Sequence, residues 1–121
     1  MKESKNDKII LWGSGKPKRE LIYVDDIADA CIFFMKKKTK HSIINIGSGK
    51  DYSIDYYAKL FAKIILKNKK IYFKYDKSKP DGTLRKVMDV SLAKKYGWST
   101  KKNLNEAIMD TYNSFLKEIK L

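Results

Sequence analysis

The sequence has a single cysteine, Cys31, and a single histidine, His41, among 121 residues. One thiol excludes an intrachain disulfide. The pair is too small a set for a typical structural zinc site, which takes four ligands of this kind. Neither residue is placed for nucleophilic catalysis. Cys31 falls on the apolar face of a predicted helix, where it reads as a small hydrophobe, and His41 falls in a polar turn. No apolar run reaches the roughly eighteen residues of a membrane span. The opening MKESKNDK is polar and lacks the apolar segment of a secretory signal, so a cytoplasmic location is expected.

Arginine is nearly as scarce as cysteine. Only Arg19 and Arg85 interrupt a basic complement that is otherwise lysine, in a chain with a formal net charge of +13. Charge of that size raises the possibility of nucleic-acid binding. Yet the lysines are spread through every segment, and base-edge recognition favours the planar arginine fork. The distribution reads as solvated surface, with neither nucleic acid nor membrane as partner. The same scarcity singles out the two arginines as positions where lysine would not serve.

What is present is an ordinary globular composition, 43% hydrophobic, in a length that suits one domain. KIILW (8–12) reads as a strand, GSGKPK as a turn, and ELIYV as a second short strand. Asp25 or Asp26 is expected to cap a helix over DIADACIFFMKKK, with Ile27, Ala30, Cys31 and Phe34 as its apolar face. SIINIG reads as a strand buried on both faces. Ser53 is the expected N-cap of IDYYAKLFAKIILK. KIYFKYD reads as a strand, KSKPDGTLRK as a polar loop, LAKKY as a short helix begun by Asp89 or Ser91 and ended by Gly97, and NLNEAIMDTYNSFLKEI as an amphipathic helix. Strands alternating with helices predict an α/β protein.

The run GSGK occurs twice, at 13–16 and 47–50. Neither copy is an autonomous nucleotide loop. The Walker pattern would need glycine at Ile10 or Ile44 and a hydroxyl residue at Pro17 or Asp51. The dinucleotide fingerprint would need glycine at Lys18 or Tyr52. Tyr75 and Lys79 have the spacing of a proton-transfer pair, but a strand tyrosine and a loop lysine before Pro80 do not share a helix face. The chain therefore offers no catalytic set and no cofactor loop. It does offer parts of a ligand site. Trp12 supplies a flat aromatic face, Arg19 a fork for diphosphate oxygens, Asp81 a loop carboxylate for hydroxyls, and Lys86 a further cation near that loop.

These residues also carry a resemblance. WGSGKPKRELIYVDDIADA resembles the W-G-(S/T)-G-x-x-x-R-(D/E) signature of the extended short-chain dehydrogenases acting on nucleotide sugars, and INIGSGKDYSI resembles their strand-turn-helix segment. SKPDGTLRKVMD, followed by a leucine and Gly97-Trp98, is similar to the GDP-L-fucose synthases, the GDP-4-keto-6-deoxymannose epimerase/reductases, in particular. The likeness runs from about Ile9 to Leu116. Leu21, Tyr23 and Leu84 are small departures from it. It implies the C-terminal portion of such an enzyme as a single unit over 1–121: the substrate-binding lobe plus a strand and helix of the Rossmann sheet. The NADP-binding N-terminal lobe and the catalytic residues are then absent. It further implies a homodimeric full-length enzyme that uses NADP(H) on a GDP-sugar, with no cofactor bound by this chain alone. Trp12, Arg19, Asp81 and, less closely matched, Lys86 correspond to substrate-contacting positions. A relative acting on a UDP- or dTDP-sugar is the alternative.

Overall fold

The computed structural model describes residues 7–67 and 69–119. Strand β1 (Lys8–Trp12) pairs in parallel with β4 (Tyr72–Asp76), so that Trp12 lies opposite Asp76. A parallel pair needs a crossover, and helix α2 (Ile54–Ile65) forms part of it, its Ala58, Phe61 and Ile65 lining a cavity of about 320 Å³ together with Ile9, Leu11 and Phe73. The strict alternation of β1 follows from this: Ile9 and Leu11 are half-buried under the helix, while Ile10 and Trp12 point to the other face and are exposed. Ser53 caps α2 by accepting from the Tyr56 amide at 3.1 Å, as its position predicts.

A second sheet has the order β3-β2-β5, built from β2 (Lys18–Glu20), β3 (Asp51–Ser53) and β5 (Arg85–Lys86). β2 runs antiparallel to β3 and parallel to β5. The strand expected over ELIYV is thus displaced towards the N-terminus, because Lys18–Glu20 pair with β3, and Lys18 and Arg19 also with β5, while residues 21–23 have no strand partner. Arg85 reaches Asp51 with two bonds, Nε to Oδ2 at 2.6 Å and Nη2 to Oδ1 at 3.1 Å. This fork spans both outer strands of the sheet. Lysine, a point charge, could not make the bidentate pair.

Helix α1 (Val24–Lys36) begins at Tyr23 without a side-chain cap. Neither Asp25 nor Asp26 caps it. Asp26 is instead buried and accepts the Lys101 and Lys102 amides, at 3.2 Å each. Asp29 takes the Trp98 indole N–H at 3.0 Å. These polar anchors fix the rotation of α1. Ala30 packs with Ala93 and Trp98, with Phe33, Phe34, Ile44 and Ile46 around them. The expected apolar face is therefore split: Ala30 and Phe34 turn to the core, while Ile27 and Cys31 are exposed, as are Val24, Ile32 and Met35. Cys31 is not a core residue.

The other large correction is SIINIG. Residues 43–46 form no strand, and Ile43 is exposed. Ile44 and Ile46 lean on the Trp98 cluster, but no strand among the described residues lies alongside to take their backbone hydrogen bonds. The C-terminal half follows the expectation closely. Helix α3 (Ser91–Lys95) ends at Gly97, whose φ of +94° favours glycine, and α4 (Leu104–Glu118) is capped by Asn103 through the Glu106 amide. Asp89 does not cap α3 as such; its carboxylate takes the Ser91 amide locally at 2.9 Å, and Val90 occupies the cap position.

Candidate functional site

The two glycine turns determine the local geometry. Gly13 has a φ of +78° and lies so close to Asp81 that any Cβ would strike the carboxylate. The Ser14 amide donates to Asp81 Oδ1 at 2.5 Å and the Ser14 hydroxyl to Oδ2 at 2.7 Å. These bonds hold the Asp81 carboxyl below its ordinary value, the backbone N–H contributing most and the hydroxyl next. The second turn is also occupied by a side chain. The Gly49 amide donates to Glu20 Oε1 at 2.5 Å, and the Ser48 hydroxyl to the same oxygen at 3.2 Å. Both turns collect an anion, and in each case the anion is a carboxylate of this chain.

Around the first turn the structure gathers the residues selected from the sequence. Trp12 ends β1 and is 72% exposed, with the Lys79 ammonium 5.3 Å from its ring centroid. Arg19 sits in the central strand β2, half-buried. Its Nη1 donates to the carbonyls of Lys18 at 2.7 Å and Thr83 at 2.6 Å. Nε and Nη2 have no protein partner among the described residues. Lys86 is the register partner of Arg19 across β2 and β5, which puts both cations on one face of the sheet. Asp81 reaches the same region through Ser14, and Thr83 joins the Asp81 loop to Arg19. All four residues thus border the loop between β4 and β5.

Tyr75 lies in β4 and Lys79 in the loop beyond it, as expected, and they do not form a proton-transfer pair. The Tyr75 hydroxyl donates to Asp55, which also pairs with Lys59 at 2.7 Å. Lys59 first, and Tyr75 second, draw the Asp55 carboxyl below its ordinary value. The Asp55 amide binds the Gly15 carbonyl at 2.9 Å, so this network anchors the first turn to α2.

Three participants escape a reading of the sequence: Ser14, Thr83 and Glu20. Ser14 sits inside the repeated GSGK and could have been marked as a hydroxyl donor. Thr83 acts through its carbonyl, which no side-chain pattern signals. A cavity of about 710 Å³ also lies apart from the four residues, between α1, α2 and α4, with Tyr23, Tyr52, Tyr56 and Tyr57 on its walls. The Tyr57 hydroxyl donates to the Arg19 carbonyl at 2.8 Å, bracing β2 from that side.

Residues 1–47 match the family model described as NAD dependent epimerase/dehydratase family. The chain is 38% identical over 119 residues to the putative GDP-L-fucose synthase 2 of Arabidopsis thaliana, an alignment covering 98% of this chain and 35% of the relative. The chain is GDP-L-fucose synthase-like in sequence. It is also 40% identical to the GDP-L-colitose synthase of Yersinia pseudotuberculosis, over 96% of this chain and 37% of that one. Its fold matches part of a GDP-mannoheptose C4 reductase from Campylobacter jejuni solved with NADP bound, with a TM-score of 0.74 and 31% identity over 90% of this chain and 35% of that one. The chain thus spans about a third of the length of the relatives it matches.

Neither glycine turn fits the phosphates of a dinucleotide. Both glycine turns spend donors on Asp81 and Glu20, and the second runs into β3 rather than directly into a helix N-terminus.

Acid should open the first turn. A carboxyl whose pKa is lowered by folding adds stability above its unfolded value, ordinarily 3.8, and that stability is lost as pH falls through the lower folded value. In an NMR titration the Asp81 carboxyl and the Ser14 amide are expected to move together, with a midpoint below 3.8. A midpoint at or above the ordinary value would contradict the pairing.

Proposed function

We propose that this chain is the nucleotide-sugar-binding portion of a GDP-L-fucose synthase-like epimerase/reductase, corresponding to the C-terminal part of the longer relatives. The observation that carries the reading is the pairing of Arg19 with Lys86 on one sheet face, beside an exposed Trp12 and the Asp81 loop. Two cations in register suit a diphosphate. Arg19 offers Nε and Nη2 while Nη1 is fixed to the protein, so its fork is oriented before the ligand arrives. Trp12 provides a surface for a ring. Asp81, held ionised by Ser14, is an acceptor for a hydroxyl at the edge of the turn. Binding energy gathered on the non-reacting nucleotide then positions the sugar for chemistry on residues outside this chain. NADP(H) would be held by the rest of the full-length enzyme and would supply hydride there.

The test is calorimetric titration of the chain with GDP, UDP, GMP and a short single-stranded oligonucleotide. GDP is expected to bind more tightly than GMP, through the second phosphate, and more tightly than UDP. Equal affinity for GDP and UDP would favour a UDP-sugar relative, to which the solved UDP-glucose 4-epimerase of Thermotoga maritima (26% identical, TM-score 0.76) lends some weight. Tight oligonucleotide binding without a preference for GDP would sink both. NADPH oxidation by the chain alone would contradict its assignment as a binding portion.

A further inference from the structure

Glu20 neighbours Arg19 in β2 and joins three stretches of chain. Oε1 accepts from the Gly49 amide at 2.5 Å and the Ser48 hydroxyl at 3.2 Å, while Oε2 accepts from the Met88 amide at 2.7 Å. Gly47 lies so close that a Cβ there would collide with the carboxylate. The second glycine turn is thus shaped around this side chain. Met88 lies two residues beyond Lys86, and β5 itself is only two residues long, paired with β2 through Lys18–Arg85 and Arg19–Lys86. A two-residue strand has few ladder bonds of its own to hold its register. The bond from Met88 to Glu20 extends the β2–β5 association beyond those pairs.

We infer that Glu20 is a positioning residue that holds Lys86 beside Arg19, and so sets the spacing of the two cations that meet a diphosphate. Its carboxylate has two oxygens, one for each tether, and no other residue in the described chain takes the Met88 amide. Glutamine would keep one acceptor and present an NH2 group to the other N–H. The effect is specific to the diphosphate end of a ligand, because Trp12 belongs to the other sheet and is not held by Glu20.

The inference rests on the GDP reading above, and its test separates the two. Binding of GDP and of guanosine is measured for the wild-type chain, Glu20→Ala and Glu20→Gln. Amide hydrogen exchange at Gly49 and Met88 is followed in the same samples. The expected result is a GDP affinity about tenfold lower in Glu20→Ala, with guanosine affinity unchanged within about twofold and protection of the Met88 amide lost. Glu20→Gln is expected to fall between and to retain more protection at one amide than at the other. A Glu20→Ala chain that binds GDP like the wild type overturns the inference. So does a parallel fall for guanosine, or loss of the folded state in both variants, since Glu20 would then be structural only. If the wild type binds neither ligand, the GDP reading fails. The tether is then judged by exchange alone, and unchanged Met88 protection in Glu20→Ala overturns it.

Discussion

Replacing Arg19 by lysine is expected to remove most of the affinity for GDP, roughly tenfold to a hundredfold, although the charge is retained. The reason is the division of labour within one guanidinium. Nη1 is committed to the carbonyls of Lys18 and Thr83, while Nε and Nη2 remain for a ligand. An ammonium presents three donors from one atom, so a lysine that bonded both carbonyls could not also offer a flat pair of N–H groups to a diphosphate. Arg19→Ala should be worse still, because the Thr83 carbonyl also loses its partner and the Asp81 loop one of its links to β2, keeping that from the Lys18 amide to the Leu84 carbonyl. Calorimetry with GDP and with GMP makes the check sharper. The loss should be larger for GDP, and an Arg19→Lys chain that keeps its preference for the diphosphate would remove Arg19 from the site.

The largest effect on stability is expected from Trp98→Ala. Trp98 is 3% exposed and forms the centre of a core whose other fully enclosed members are the small Ala30 and Ala93. Few other side chains are enclosed to the same degree, so the loss would not be shared by a large surrounding core. Truncating a buried tryptophan costs about 3–5 kcal/mol, a large part of the 5–15 kcal/mol that holds a typical domain together. Asp29 would also lose the indole N–H, keeping only Lys101. A urea melt of Trp98→Ala should show a midpoint far below the wild type or no cooperative transition. Trp98→Phe keeps most of the volume and loses the hydrogen bond, and should cost about 1–2 kcal/mol. Similar midpoints for wild type and Trp98→Ala would mean that the α1–α3 contact is not where the stability resides.

How much of this was legible depended on the range of the interaction. Local chemistry could be read directly. Ser53 was read as a cap because a side-chain oxygen three residues before a free amide is a sequence-level signal, and Asn103 caps α4 by the same geometry. KIILW could be read as a strand, but its four consecutive apolar residues did not show that only Ile9 and Leu11 are covered. The rotation of α1 was not legible, because it is set by Asp26 and Asp29, which bond to residues 69 to 76 positions away and pull the polar side of the helix inward. SIINIG has the composition of a buried strand, but strand formation requires a neighbour, and the described chain has none beside it. Trp12, Arg19, Asp81 and Lys86 were found as residue types in a pattern. That Arg19 and Lys86 stand in register, and that Asp81 is held by Ser14, depends on pairings about 67 positions apart that no local pattern encodes.

The repeated GSGK has a further consequence. Each turn already holds a carboxylate attached to the same molecule, and a tethered group acts at an effective concentration of about millimolar or more. A free phosphate ion would have to outcompete that internal counterion at both turns. The glycine loops therefore behave as clasps, each fastening chain segments that are far apart in sequence with no covalent bond. Affinity for phosphate, where it exists, must come from the arginine and lysine that the clasps hold in place.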